Sequence, residues 1–290
     1  MKSRTILAAA LALALPVLPA TQANAAEEFV FTAIPDQDES QLKSRFGKIA
    51  GYLSKQLGVP VKYVPVKSYA AAVTAFRNNQ VQLAWFGGLS GVRARALVPG
   101  STAIAQGKED LTFVTYFIAH ASTGLKESKE FPTAIKGKTF TFGSKGSTSG
   151  RLMPEFHIRN NFKEAPQKVF SRVGFSGDHS RTIALVQSGS YQVGATNYAV
   201  WDRDVKAGKI DTSKVSVIWR TPTYPDYQWS IRGDVDAKFG DGFTDKVKNS
   251  LLSMNDPDLL KSFPRSSFIP ASNADYAPIE KTAKSIGLID

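Results

Sequence analysis

The sequence predicts an α/β protein in two lobes, on three observations. Short β-rich runs alternate with helical periodicity from Phe29 onward, the pattern of an α/β chain. The alternation starts afresh at Thr139, in the middle of the chain. The length of 290 residues suits two structural units, and a hydrophobic content of 42% is ample for burial, which excludes disorder, collagen and a simple coiled coil.

Phe29 to Ile34 reads as the first strand. Asp38 with Gln41 three residues on resembles a capping box, and Leu42, Phe46, Ile49, Leu53 and Leu57 recur at helical spacing until Gly58 stops the helix. A strand over Val61 to Val66, a helix over Tyr69 to Arg77 and a strand over Val81 to Phe86 complete a βαβαβ run that halts at Gly87-Gly88. A helix from about Leu89 to Leu97 and β-rich runs at Thr102 to Ala105 and Leu111 to Ala119 follow. The second alternation brings a strand at Thr139 to Gly143, a Gly/Ser/Thr loop and a helix from about Ser149 to Asn161. Next come a helix over Asp178 to Gln187, strands at Val193 to Thr196 and Val215 to Arg220, and an extended return over Tyr227 to Arg232. The last 50 residues read as helical segments broken by Pro257, Pro264, Pro270 and Pro278.

Residues 1 to 25 carry the three parts of a secretory signal: Lys2 and Arg4, the apolar run Ile6 to Leu18, and the Ala23-Asn24-Ala25 cleavage pattern. A buried N-terminal helix is the alternative, which Pro16 and Pro19 oppose. Cleavage after Ala25 is expected to leave a periplasmic chain of 265 residues. The absence of Cys removes a disulfide framework, a thiolate metal site, a cysteine nucleophile and a lipid anchor. Thirty-six Lys and Arg against 25 Asp and Glu give +11. The excess is spread with no basic run of five, so a nucleic-acid partner is not expected, while a surface favouring anions stays open.

The most unusual stretch is Gly143-Ser144-Lys145-Gly146-Ser147-Thr148-Ser149-Gly150, between a strand and a helix. Three consecutive hydroxyls and the unpaired amides of a helix N-terminus make an anion cradle, since the donors and the helix dipole both favour negative charge. A capped βα loop would need one Ser only. The stretch lacks the Gly-Lys-Ser/Thr ending of a Walker A loop, and its centre is Thr148 rather than a nucleophile-elbow Ser. His120 and His157 read as structural. His179 opens a helix after a Gly-containing loop and can present a donor, with a solvated turn as the alternative. No paired-His spacing exists, so neither a metal nor a cofactor is implied. Trp85-Phe86 and Tyr69 fall at strand ends, where open α/β sheets bind ligands, with core packing an equal reading for Trp85. Asp226 precedes the extended return, where turn chemistry alone also suits it.

Ser68-Tyr69-Ala70-Ala71-Ala72-Val73, Val81-Gln82-Leu83-Ala84-Trp85-Phe86-Gly87, Ser147-Thr148-Ser149-Gly150 with Pro154, and His179 before Ala184-Leu185-Val186 resemble, in that order, the phosphonate-binding proteins of ABC transporters. The resemblance implies a type II periplasmic binding protein fold, two α/β lobes joined by two crossover strands. Lobe one would comprise residues 26–120 and 233–290 and lobe two 121–226, with crossovers near 111–120 and 227–232. It further implies that Tyr69, Ser147, Thr148, Ser149 and His179 hold a phosphonate group, that Phe86 stands where some members have a ligand Tyr, and that Asp226 helps select aminoalkyl ligands. The acid expected after Ala195-Thr196-Asn197 is replaced by Tyr198-Ala199-Val200, which disfavours a ligand amine, because a buried ammonium needs paired acids. A small oxyanion or phosphonate (phosphonate, phosphite, phosphate, sulfate or selenate) is therefore the expected ligand, and a membrane permease the expected partner of a monomer. The rival readings are a periplasmic phosphate- or sulfate-ester hydrolase, for which His179, Ser147 and Asp226 mimic a triad on paper, and a sensor feeding a receptor.

Overall fold

The computed structural model describes residues 27–290, so the expected export signal and its cleavage point lie outside it. The elements in chain order are β1 (Phe29–Ala33), α1 (Glu39–Leu57), β2 (Val61–Tyr63), α2 (Tyr69–Arg77), β3 (Leu83–Phe86), α3 (Gly88–Leu97), β4 (Thr102–Gly107) and β5 (Thr115–His120). They continue with β6 (Thr139–Phe142), α4 (Met153–Phe162), α5 (Pro166–Val169), β7 (Arg172–Phe175), α6 (His179–Gln187), β8 (Val193–Asn197), α7 (Tyr198–Lys206) and β9 (Val215–Arg220). The chain ends with β10 (Gln228–Ile231), α8 (Val235–Phe239), α9 (Phe243–Leu252), α10 (Pro257–Ser262), β11 (Phe268–Pro270) and α11 (Ala277–Ser285).

These strands form two mixed sheets, of order β11-β4-β10-β3-β1-β2 and β7-β6-β8-β5-β9. Each sheet combines a parallel trio with a strand that arrives antiparallel from the other half of the chain. In the first sheet β10 runs against β3 and β4, and in the second β5 runs against β8 and β9. Helices bury both faces of β5: Tyr116 and Ile118 pack with Ile183, Val186 and Trp201, whereas Phe117 and Ala119 pack with Phe140 and Ile158. That two-sided burial explains why the strand reads as a continuous apolar run rather than an alternating one.

The points of crossing differ from the expectation. Leu111 to Ala119 is not one strand, because Lys108–Thr112 is a short 3-10 turn and β5 is already inside the second sheet. β10 likewise belongs to the first sheet. The chain therefore changes sheets at residues 108–114 and 221–227 rather than along 111–120 and 227–232. The two crossing segments pair with each other: the Phe113 and Tyr224 amides exchange bonds of 2.9 and 3.0 Å, and the Asp226 amide donates to the Asp110 carbonyl at 3.0 Å. Asp110 and Arg265, both buried, lock this crossing with two bonds of 2.7 Å, and the guanidinium lies 5.4 Å from the Tyr227 ring centroid.

Periodicity locates α1 well. The Asp38 carboxylate accepts from the Ser40 and Gln41 amides, and Gly58 ends the helix at φ 73°. Five elements are not apparent in the sequence: α5, α8 and β11 are only three to five residues long, β7 is a half-exposed edge strand interrupted by Gly174, and α7 follows Asn197, whose side chain caps the Ala199 and Val200 amides. The C-terminal prolines act differently from the expectation. Pro257 and Pro278 begin helices, where a missing N–H costs nothing, and Pro270 ends strand β11.

Candidate anion-binding site between the two sheets

The Gly/Ser/Thr loop follows β6 and enters α4 through a widened first turn. Thr148–Leu152 is a π-turn in which the Leu152 amide donates to the Ser147 carbonyl at 3.0 Å, five residues back. Ser147 caps it, its Oγ accepting from the Gly150 amide at 2.9 Å. The amides of Thr148 and Ser149 lie in the first turn, before any intrahelical acceptor. Gly150 is required by close approach: a Cβ there would meet His179 Cε1 and Ser147 Oγ at 3.1 Å and the Gly143 Cα at 3.2 Å. The widened turn thus brings the loop against His179.

His179 is fully buried at the start of α6. Its Nδ1 accepts from the Asn197 amide at 3.2 Å, so the ring proton sits on Nε2, which lies 3.4 Å from Ser149 Oγ. Burial pushes its pKa down to about 4, which keeps the ring neutral and its Nε2–H a donor. No carboxylate among the described residues is hydrogen-bonded to the ring, and it faces Ser149 rather than Ser147, so the paper triad of Ser147, His179 and Asp226 is not assembled.

The first sheet closes the site from the opposite side. Tyr69 begins α2, buried, and its hydroxyl has no hydrogen-bond partner among the described residues. The Tyr69 Cβ sits 3.0 Å from where Gly146 would carry a side chain, so glycine is what lets the loop reach α2. Asp226 Oδ1 accepts from the Gly88 amide at 2.8 Å at the N-terminus of α3, while Oδ2 is buried without a partner. Burial, only partly offset by the Gly88 amide and the Thr148 hydroxyl, raises this carboxyl to about 7. Thr148 Oγ1 accepts from the Leu89 amide at 3.0 Å, a direct bond across the seam, and Asp36 completes another as its carbonyl accepts from the His179 amide at 2.9 Å.

Six of the seven singled-out residues, Tyr69, Ser147, Thr148, Ser149, His179 and Asp226, thus gather on this seam, all buried. Phe86 does not join them. Its ring packs edge-on against Phe76, 5.6 Å between centroids, so at this strand end the seam receives the backbone of residues 87–89. Trp85 stacks on Tyr227 in the core. His157 is largely buried against Trp219, and His120 caps a turn through Ser122, both structural. Two contributors went unread: the Gly88 and Leu89 amides, hinted at by the Gly-Gly after a strand, and Asp36, an acid just beyond β1. Asp36 is buried and borders a cavity of about 10 Å³ together with Arg45, Arg203, Arg265, Asn197 and Tyr227.

A model of the family described as ABC transporter, phosphonate, periplasmic substrate-binding protein matches residues 31–276. The probable ABC transporter phosphite binding protein PhnD1 of Prochlorococcus marinus (strain MIT 9301) is 40% identical over 264 residues, 89% of this chain and 89% of that protein. The phosphonates-binding periplasmic protein of Escherichia coli (strain K12) is 23% identical over 259 residues, 87% and 75% of the two chains. Among solved structures, PhnD1 of Prochlorococcus marinus in complex with methylphosphonate matches with a TM-score of 0.85 at 40% identity, covering 90% of this chain and 99% of that one. A binding protein component of an ABC phosphonate transporter from Pseudomonas aeruginosa matches with a TM-score of 0.77 at 20% identity over 89% and 85%, a likeness of fold alone. The curated relatives are binding and import proteins, which removes the hydrolase reading. With its two-sheet fold and the ordered match along nearly the whole described chain, the protein belongs to the phosphonate-binding family of periplasmic substrate-binding proteins of ABC transporters.

Proposed function

We propose that the chain binds one small tetrahedral phosphorus oxyanion, of the size of methylphosphonate or phosphite, in the seam and presents it as a monomer to a membrane permease. The mature form begins near Ala26, after the Ala23-Asn24-Ala25 pattern. The observation that carries this reading is the convergence of unsatisfied buried groups, the Tyr69 hydroxyl and Asp226 Oδ2, beside the neutral Nε2–H of His179 and the Ser149 hydroxyl. Buried polar atoms without partners are costly, and an oxyanion carrying one proton would supply acceptors for the Tyr69, Ser149 and His179 donors and a hydrogen-bond partner for Asp226 Oδ2 at once. Tyr69, Ser147, Ser149, His179 and the amides of Thr148 and Ser149 bind the oxygens. The Thr148 hydroxyl, already bonded to Leu89, holds the two sheets together around them.

Asp226 shares one proton with the anion. A carboxyl held near neutrality until about pH 7 donates Oδ2–H, and once ionised it accepts a P–OH. Phosphonate and phosphite monoanions can bring that proton, whereas sulfate and selenate cannot. An aminoalkyl tail is disfavoured because neither cavity bordering the seam offers it an acid: the one of about 540 Å³ lined by Tyr69, Gly146, Lys145 and Arg93 has no carboxylate in its lining, and the one of about 10 Å³, where Asp36 is shared with Arg45, Arg203 and Arg265, holds no more than a water. A thermal-shift panel tests the reading. At a hundred times its dissociation constant a ligand stabilises by about 2.7 kcal/mol. Methylphosphonate or phosphite should raise the melting temperature most, and a panel in which no phosphorus oxyanion shifts it would refute the assignment.

A further inference from the structure

The positive charge is unevenly placed. Between Val114 and Arg220 there are sixteen Lys and Arg against eight Asp and Glu, whereas the remaining described residues hold eighteen against seventeen. Nearly all of the net charge therefore rides on the second sheet and its helices. The seam does not use it, because the anion donors there are neutral.

Register shows where part of this excess collects. Parallel pairing sets Thr139 beside Arg172 at the starts of β6 and β7, the ends remote from the Gly/Ser/Thr loop. There the Gly137 amide donates to the Val169 carbonyl at 2.9 Å, the Ser171 amide to the Lys138 carbonyl at 3.0 Å, and Arg172 to the Ser190 carbonyl. These bonds tie three loops into one rigid end. It carries Lys136, Lys138, Lys163, Lys168 and Arg172, of which only Lys168 has a carboxylate within ion-pair distance among the described residues, Glu164 at 3.7 Å. All but the half-buried Lys138 are exposed. Four cations without a carboxylate partner on a fixed framework repel one another; Arg172 is held by Ser190 and Tyr191, whereas the Lys136, Lys138 and Lys163 side chains make no hydrogen bond or ion pair among the described residues.

We propose that this end of the second sheet is a docking surface for an anionic phospholipid bilayer, holding the protein near the membrane in which its permease sits. The chemistry favours a lipid surface over a nucleic acid. Three of the four unpaired groups are Lys, compact and strongly hydrated charges suited to a field of mobile headgroups, and the Arg stacks on Tyr191 at 4.2 Å, which leaves no free aromatic face for a base. The surface is separate from the seam, so it does not depend on which anion binds there.

The test is co-sedimentation of the mature protein with phosphatidylglycerol-containing vesicles and with pure phosphatidylcholine vesicles at low ionic strength. Partitioning should be at least about tenfold stronger on the anionic vesicles and fall steeply with added salt. The double variant Lys136→Glu/Lys138→Glu should lose about tenfold or more, while Lys48→Glu/Lys55→Glu, the same charge change on exposed positions of α1, should stay within about twofold of the parent. Melting curves establish that both variants fold. Equal partitioning on the two vesicle types, an equal loss in both variants, or retention on a soluble polyanion such as heparin without vesicle binding would each overturn the proposal.

Discussion

Two buried polar regions meet at Asp226, and they are built on opposite principles. At the crossing, Asp110 and Arg265 are fully charged, bidentate and enclosed by Trp85, Phe113 and Tyr227, with every strong donor matched. On the seam the donors are neutral, and the Tyr69 hydroxyl and Asp226 Oδ2 are unmatched. A permanent contact can carry full charges because the partner never leaves. A site that fills and empties would strand a buried Lys or Arg each time its anion departed, at a cost of several kcal/mol, whereas hydroxyls, amides and a neutral imidazole lose far less. Charge belongs to the frame and dipoles to the site.

The largest expected effect breaks the frame. Arg265→Ala leaves Asp110 buried without its partner, and unfolding by denaturant should show about 3–5 kcal/mol of lost stability. A loss below about 1 kcal/mol would place the pair among ordinary surface bridges.

The second effect reads the protons of the site. Without ligand, His179 and His157 are held down to about 4, so between roughly pH 4 and 6.5 the unfolded chain binds protons that the folded one does not, and stability rises with pH. Asp226, raised to about 7 by burial, does the reverse: over the same window the folded state keeps a proton that the unfolded chain has released. Asp226→Asn should therefore steepen the rise, by up to about 1.4 kcal/mol per pH unit, in melting temperatures taken across that range. An unchanged slope would mean that Asp226 is ionised throughout.

Smaller effects separate the donors from the bond that joins the sheets. His179→Ala and Ser149→Ala each remove a bond to a charged ligand, worth about 1.5–3 kcal/mol, and calorimetry should show affinity for methylphosphonate falling roughly 10- to 150-fold. Thr148→Val removes the neutral bond to the Leu89 amide, about 1 kcal/mol, so a loss near fivefold is expected, expressed mainly as faster release in stopped-flow measurements. If Thr148→Val matches Ser149→Ala, the Thr148 hydroxyl touches the anion instead.

Much of this was legible in the sequence, for identifiable reasons. The Ser147-Thr148-Ser149-Gly150 run could be read because donors at a helix start are a local property, and α1 because its five apolar positions keep one period. Asp36 and the Gly88 and Leu89 amides could not. Their roles arise from contacts across more than fifty residues, and backbone groups leave no mark on residue type. Phe86 misled because a strand end predicts proximity to a site, while the pleat decides which face a ring takes. The crossings shifted because Leu111 and Thr112, the end of the Lys108–Thr112 turn, run on through Phe113 and Val114 into the apolar start of β5 with no breaker between them.

The claim that neutral donors and one shared proton select a small phosphorus oxyanion is tested most directly by competition calorimetry at about pH 7. Methylphosphonate, phosphite and 2-aminoethylphosphonate would each be titrated into the mature protein. Methylphosphonate or phosphite should bind at least tenfold more tightly than the amine, which would meet the three guanidinium groups near Asp36 and have only Asp226, already sharing a proton with the anion, as an acid. Tighter binding of 2-aminoethylphosphonate than of both would contradict the account.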